Sequence, residues 1–294
     1  MAEDLIAKCA NLNIEDEDGE TVDCGTIDSS DSDARVSLML VGKLLTDRGV
    51  NIEAFKRTIT QSWGMKGKVV IRAIGANFFG FQFFHSRDKE KVLLGRPWCF
   101  EQSLLILNEI KGNEQPQDFA LTHSPFWIRL ENLPFNCRSE EHARVIASKL
   151  GEIVEIESDV LGIDKNRRVK VMLDVSRPLR RYINVKNREG SIIKMNLKYE
   201  RLPFFCFMCR VMGHNEKDCV NVPEDLQHQG LGWGSWLKAS PRRGRRAETV
   251  EVQELSATRK LSFITKDSLL ATLENSKSVG KMVVNVDIGG DGGD

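Results

Sequence analysis

The spacing Cys206-x2-Cys209-x4-His214-x4-Cys219 constrains this chain more than any other feature of its sequence. Two residues between the first thiols let the backbone turn tightly enough for both sulfurs to reach one ion. Three thiolates and one imidazole then complete a tetrahedral zinc shell. A shell closed by four protein ligands leaves no position for water, so one structural zinc is expected here, not a catalytic one. Gly213, just before His214, is expected to adopt a backbone conformation that a Cβ would hinder. A segment of fourteen residues has almost no core of its own, so the metal is expected to supply its folding energy.

Phe207 stands between the first two ligands and is not expected to be fully buried in so small a fold. An exposed aromatic ring at such a place can stack on an unpaired base, and Met208 or Met212 would widen that apolar face. The alternatives are four unrelated residues, or a zinc-bound segment that contacts protein. The other four cysteines (Cys9, Cys24, Cys99, Cys137) are scattered, and seven in all suits a reducing compartment and a metal site rather than a disulfide scaffold.

The net charge of zero hides a split. Residues 1–34 hold eleven acids and one base, a net of −10, while the other 260 residues hold 41 bases and 31 acids, a net of +10. The span from Leu161 to Cys219 alone has fourteen bases against six acids, a net of +8. Asymmetry of this kind accompanies nucleic-acid binding. Phosphate contacts from Arg168, Lys170, Lys198, Arg201, Arg210 and Lys217, with base stacking on Phe207, are the expected use of this surface. The bland alternative is an ordinary solvated face.

Periodicity divides the chain. Residues 1–34 form an acidic tail without enough apolar surface to order itself, apart from a short helix that Asp4 would cap. Residues 35–111 read β-α-β-β-α-β, the ferredoxin-like plan that RNA-recognition domains also use. The strands are placed at Leu38-Met39-Leu40-Val41, Val69-Val70-Ile71, Phe78 to Phe84 and Leu104 to Ile110. The helices are placed at Asn51 to Trp63, with Asn51 as N-cap, and at Arg87 to Leu94, with Ser86 as cap. In the strand Phe78 to Phe84, one register presents Phe79 and Phe81 as stacking platforms. The other buries Phe79, Phe81 and Phe83 and leaves Gln82 outside, which is favoured because a buried Gln82 would need a partner.

After a polar linker from Gly112 to Ser124, residues 125–200 read as a second, shortened α+β module or as an extension of the first sheet. Its helix starts at an N-cap signal, Ser139, carries the stripe Ala143, Ile146, Ala147 and Leu150, and is ended by Gly151. The zinc segment falls in 201–222, and a mostly disordered basic and polar tail is expected from 223 to 294. The expected class is therefore α+β: a ferredoxin-like module, a second small α+β module and a CCHC zinc knuckle between disordered termini.

The cluster Arg242-Arg243-Gly244-Arg245-Arg246 reads as a nuclear import signal or a second phosphate patch. Trp233 and Trp236 either pack on the knuckle or stay exposed as a docking surface for a protein partner or a second copy. His85, His123, His142 and His228 have no ligand-like spacing. No Ser/His/Asp set, phosphate loop or carboxylate pair stands out, so no enzyme and no small-molecule substrate are expected. No apolar run approaches the roughly eighteen residues of a membrane helix, and no secretory signal is expected. The expected setting is intracellular, in nucleus or cytoplasm, with the basic cluster leaning towards the nucleus.

Several short pieces, taken in order, resemble a known family. They are Leu40-Val-Gly-Lys-Leu-Leu45, Trp63, Arg96-Pro-Trp98-Cys-Phe100, Phe126-Trp-Ile-Arg-Leu-Glu-Asn-Leu-Pro134, Ala147-Ser-Lys-Leu-Gly151, Tyr199-Glu-Arg-Leu-Pro-Phe-Phe-Cys206 and Trp236-Leu-Lys238. Over about residues 35–240 the chain is similar to plant proteins derived from LINE-type retrotransposons, in which a domain of unknown function precedes a CCHC zinc knuckle. The resemblance implies binding of RNA or single-stranded DNA, chaperone-like packaging of a transcript, and zinc on the four residues named above. Longer members continue into endonuclease and reverse transcriptase, and a chain of 294 residues is expected to carry neither.

Overall fold

Two five-stranded antiparallel sheets share one strand order. The architecture comes from a computed structural model that describes residues 23, 30–112, 114–159, 164, 166–187, 189–220 and 232–241. The Asp4 helix, most of the acidic tail, the Arg242–Arg246 cluster, His228 and nearly all of 223–294 lie outside the described residues. The exceptions are at the margins. Residues 232–240 are folded against the body, and Ser30–Ser37 forms a helix, α1, where a disordered tail was expected. Asp31 and Asp33 in its first turn and Arg35 in its last suit the helix dipole. Its end is tied down by Gln82 Nε2, which donates to the Arg35 carbonyl (3.1 Å), and by Lys89 Nζ, which donates to that of Ser37 (2.6 Å).

The first module runs β1 (Met39–Leu44), α2 (Ile52–Trp63), β2 (Val69–Gly75), β3 (Phe78–Phe83), α3 (Ser86–Leu94), β4 (Trp98–Phe100) and β5 (Ser103–Glu109). Its sheet order is β2-β3-β1-β5-β4. Without β4 this is the ferredoxin-like arrangement expected from the β-α-β-β-α-β pattern. Strand β4 adds a hairpin at the edge; three residues are too few to show a period.

The alternation in β3 falls as burial requires. Phe79, Phe81 and Phe83 are buried beneath α2 and α3 with Phe55, Ile59, Trp63 and Val92. Phe55 stacks on Phe79 at 4.4 Å and meets Phe100 edge-on at 5.4 Å. Asn51 caps α2 as expected, accepting from Ala54 N–H at 3.0 Å. The start of α3 differs by one residue: Ser86 is already helical and His85 holds the cap position without a side-chain bond. Asp88, in the first turn, instead accepts from Gly67 N–H at 2.9 Å and pins the loop before β2.

The second module runs β6 (His123–Glu131), α4 (Glu140–Ala147), β7 (Glu152–Ile156), β8 (Arg167–Asp174), β9 (Tyr182–Lys186) and β10 (Ile192–Tyr199). Its order, β7-β8-β6-β10-β9, repeats the first sheet strand for strand, with no counterpart of α3. It is a separate sheet, which settles the alternative left open above. Helix α4 ends at Ala147, before Gly151. Gly151 serves a close approach: a Cβ there would lie 2.2 Å from the Met172 carbonyl oxygen on β8.

Where a second helix would cover this module, the loop after β8 meets the knuckle. Leu179 donates its N–H to the Arg210 carbonyl (2.9 Å) and accepts from Trp233 Nε1 (3.0 Å). Leu179, Phe205, Met212 and Leu237 share one apolar cluster with Phe126, Ile128, Ala143 and Tyr199. Leu104 and Ile106, on the helix-free face of the first sheet, belong to that cluster too. The β1–β5 half of that face is therefore filled by protein. No helix among the described residues is long and apolar enough to cross a membrane.

Candidate metal centre and nucleic-acid interface

A short hairpin builds the metal cage. Phe205 and Met212 face each other in an antiparallel bridge. Inside it, Cys206 N–H donates to Val211 O (2.9 Å) and Arg210 N–H donates to Cys206 O (2.8 Å). Closing so tight a turn puts Arg210 at φ 70° and Gly213 at φ 103°. Gly213 is needed twice over, since a Cβ would also lie 2.8 Å from Leu45 Cγ. Asn215 then caps a single 3-10 turn, its Oδ1 accepting from Lys217 and Asp218 N–H, and that turn delivers Cys219.

The ligand atoms of Cys206, Cys209, His214 and Cys219 all lie within 4.8 Å of one another, with Cys209 Sγ 3.2 Å from His214 Nε2. An ion bonded at about 2.0–2.3 Å holds tetrahedral ligands roughly 3.3–3.8 Å apart, so the cage fits zinc. Burial pushes the Cys209 thiol up to about 12, and its neighbours Cys206 and Cys219 add to that. A divalent cation reverses this, because coordinated thiols are deprotonated. The donor set suggests a zinc site, and no second such group of ligands occurs among the described residues. Outside the cage, Cys137 is buried, and burial pushes the Cys99 thiol up to about 11.

The residues expected to meet nucleic acid divide into three sets. Phe207 is half-buried, edge-on to Phe205 at 5.0 Å, and Lys217 is exposed on the capped turn. Lys198 lies on the helix-free face of the second sheet, opposite Arg129. The other four are engaged by protein. Lys170 is only 4 % exposed and donates to the Leu94 carbonyl (2.8 Å), and burial holds its ammonium below the usual lysine range. Arg201 donates to the Gly95 carbonyl (2.9 Å). Arg210 lies over the Trp233 ring at 4.0 Å. Arg168 stacks on Trp127 at 3.7 Å and is paired with Glu200 (2.6 Å) and Glu157 (3.5 Å). Trp236, unlike Trp233, is exposed.

Glu200 is the hub of this charged face. It accepts from Arg129 Nε and Arg168 Nε, each at 2.9 Å. Burial raises its carboxyl, but the hydrogen bonds and charges of Arg168 and Arg129 outweigh that and hold it below the usual carboxylate range. A depressed folded pKa means stability that is present at neutral pH and lost as pH falls through the folded value. Glu200→Gln is expected to cost about 2 kcal/mol at pH 7, since it removes the one carboxylate of Arg129 and the nearer of the two that pair with Arg168. Urea unfolding of the protein and the variant over a pH series falling from 7 checks this, the deficit shrinking as Glu200 takes up its proton. A deficit that stays constant to the acid limit of the folded state would contradict the charge account.

Sequence reading overlooked Trp127, Arg129 and Tyr182 of the same face, and counted Lys194 only as one base of the charged span. Their signal was available as period-two alternation. Tyr182, Asn184 and Lys186 on β9 share a face with Lys194, Asn196 and Lys198 on β10, as the register Tyr182–Asn196 and Asn184–Lys194 requires. Lys194 Nζ sits 4.3 Å above the Tyr182 ring.

Comparisons with known proteins agree with this layout. Residues 32–118 match a family described as a domain of unknown function (DUF4283). Residues 173–221 match a zinc knuckle family, in a stretch that takes in β9 and β10 as well as the cage. The chain has no match among curated proteins. Among solved structures it is similar to the first two RRM domains of the yeast poly(U)-binding protein Pub1, at 13 % identity and a TM-score of 0.19, covering 55 % of this chain and 98 % of that one. It is also similar to the RNA-binding domain of Hrp1 in complex with RNA, at 14 % identity and a TM-score of 0.21, covering 56 % and 96 %. The matched segments thus give the order of a DUF4283-like stretch followed by a zinc-knuckle-like stretch that contains the cage.

Proposed function

We propose that this protein binds single-stranded nucleic acid, RNA or DNA, with one structural zinc, and that it is a retroelement-derived packaging protein acting inside the cell without catalysis. The observation that carries the reading is the contrast between the two faces of the second sheet. One face is apolar and closed by α4, the knuckle and Leu237. The opposite face presents Lys186, Lys194 and Lys198 beside Tyr182, Asn184 and Asn196, with Lys186, Lys194 and Asn184 exposed. A row of cations interleaved with an aromatic ring and amides tracks a phosphate backbone while offering a flat surface to bases. The retroelement origin and the packaging role are supported by the order of the DUF4283 domain and the knuckle, and by the resemblance of the sequence pieces that link them.

Fluorescence anisotropy with a labelled single-stranded oligonucleotide tests the reading. Affinity is expected to fall steeply as salt rises, because each phosphate neutralised releases counterions. The triple variant Lys186→Glu, Lys194→Glu, Lys198→Glu should bind on the order of 100-fold more weakly and reduce the log–log salt slope by about two. Salt-insensitive binding by the unaltered protein, or none, would sink the reading.

A further inference from the structure

The segment Glu15-Asp-Glu-Asp-Gly-Glu20 carries five carboxylates in six residues. Ten residues on from Glu20, Ser30 begins α1, and that much extended chain spans about 33 Å. The route from α1 to the open face of the second sheet is marked by α3. Lys89 of α3 holds the end of α1 through the Ser37 carbonyl (2.6 Å), and Leu94, the last residue of α3, accepts from Lys170 Nζ (2.8 Å). Lys170 stands on β8, on the same face as Lys198, with β6 between β8 and β10. Helix α1 is about 12 Å long, α3 about 14 Å, and two strand spacings about 10 Å, each short against the reach of the segment. We propose that Glu15–Glu20 of the same chain lies along β9 and β10, on the face of Lys186, Lys194 and Lys198, and that nucleic acid must displace it to bind. The proposal rests on the nucleic-acid reading above and deepens it by naming a regulator of that same face.

The face has cations to offer. Among the described residues, no carboxylate pairs with Lys186, Lys194 or Lys198. The acids that border them leave a positive surplus. Glu200 is taken by Arg129 and Arg168, and Arg188 and Glu189 cancel in charge in the turn between β9 and β10. Glu131, opposite Asn196, is then the one acid set against three lysines. Asn184 and Asn196 add carboxamide NH2 groups, which donate to carboxylates as they would to phosphates.

The two rows also match in period. Residues two apart in extended chain share a side, about 6.6 Å from each other. Asp16, Asp18 and Glu20 would share one side of an extended segment, as Lys194, Asn196 and Lys198 share one side of β10. Such a row of carboxylates imitates the phosphates of a single strand. Tethering makes a weak contact effective, because a segment on a short linker acts at a concentration on the order of 1 mM. A contact with a dissociation constant of about 0.1 mM then covers the face in roughly nine molecules of ten and weakens the apparent affinity for nucleic acid about tenfold.

The test uses the full zinc-loaded chain. Without nucleic acid and at low salt, a carbodiimide joins carboxylates to amines in direct contact, and the joined peptides are mapped by mass spectrometry. Bonds from residues 15–20 to Lys186, Lys194 or Lys198 within one chain are expected, and they should be lost at about 0.5 M salt. The full chain carrying Glu15→Gln, Asp16→Asn, Glu17→Gln, Asp18→Asn and Glu20→Gln is expected to bind a single-stranded oligonucleotide about tenfold more tightly at low salt, the gap closing as salt rises. Bonds confined to other lysines, such as Lys66 or Lys68, or formed only between two chains, overturn the seat on β9 and β10. Equal affinity of the neutralised and unaltered proteins overturns the competition and leaves the broader reading standing. Failure of both proteins to bind any oligonucleotide, with the bonds to Lys194 formed, overturns the nucleic-acid reading and leaves the contact standing.

Discussion

Cys206→Ser is expected to abolish zinc loading, lower the Tm of the whole folded body by on the order of 10 °C and remove oligonucleotide binding together with it. In an isolated knuckle the metal only decides whether a short peptide folds. Here the cage is built into a core. Cys206 is fully buried, and its neighbours Phe205 and Met212 are buried in the cluster that closes the second sheet. Without the ion the hairpin cannot hold three crowded thiols, so Phe205 and Met212 are released with it. Losing two such side chains from a core removes roughly 3–6 kcal/mol. Elemental analysis, a thermal melt and anisotropy on one sample check all three outcomes. A metal-free variant with an unchanged Tm would show that the second module holds itself together and that the knuckle is an appendage.

Phe81→Ala is expected to cost about 3–5 kcal/mol of stability with no loss of oligonucleotide affinity in protein that remains folded. The ring is fully buried, tilted against Trp63 at 5.4 Å and near Phe55 at 6.5 Å, so nothing can fill the cavity it leaves. Gln82→Ala, its neighbour on the opposite face, should cost no more than about 1 kcal/mol, the worth of its bond to the Arg35 carbonyl. Urea unfolding of both variants, followed by binding at a temperature where both are native, separates a core role from a platform role. Reduced affinity at full stability in Phe81→Ala would reverse the register argument.

These expectations differ in how early they became available. The zinc ligands and the Phe79–Phe81–Phe83 face were legible because both depend on short spacing. A metal cage is closed by four residues within a stretch of fourteen, and a strand sorts its side chains with period two. The same local logic placed α2 with its Asn51 cap. It missed β4, which is too short for a period, and it misread the end of α4, where Gly151 answers to the Met172 carbonyl of another strand.

What the sequence by itself determined is the metal chemistry, the α+β order and the sign of the charge near the knuckle, since each follows from residue type and local spacing. The tertiary structure decided which of those charges are free. Lys170, Arg201, Arg210 and Arg168 count as positive in any tally, yet each is held by a carbonyl, a ring or a carboxylate from a distant part of the chain. Lys194 and Lys198 stay on an open face only because β10 lies between β6 and β9. The structure also closed half of the first sheet with Leu104 and Ile106 and set the knuckle against Leu45. Pairing and burial depend on neighbours brought together by folding, and spacing along a chain carries no record of them.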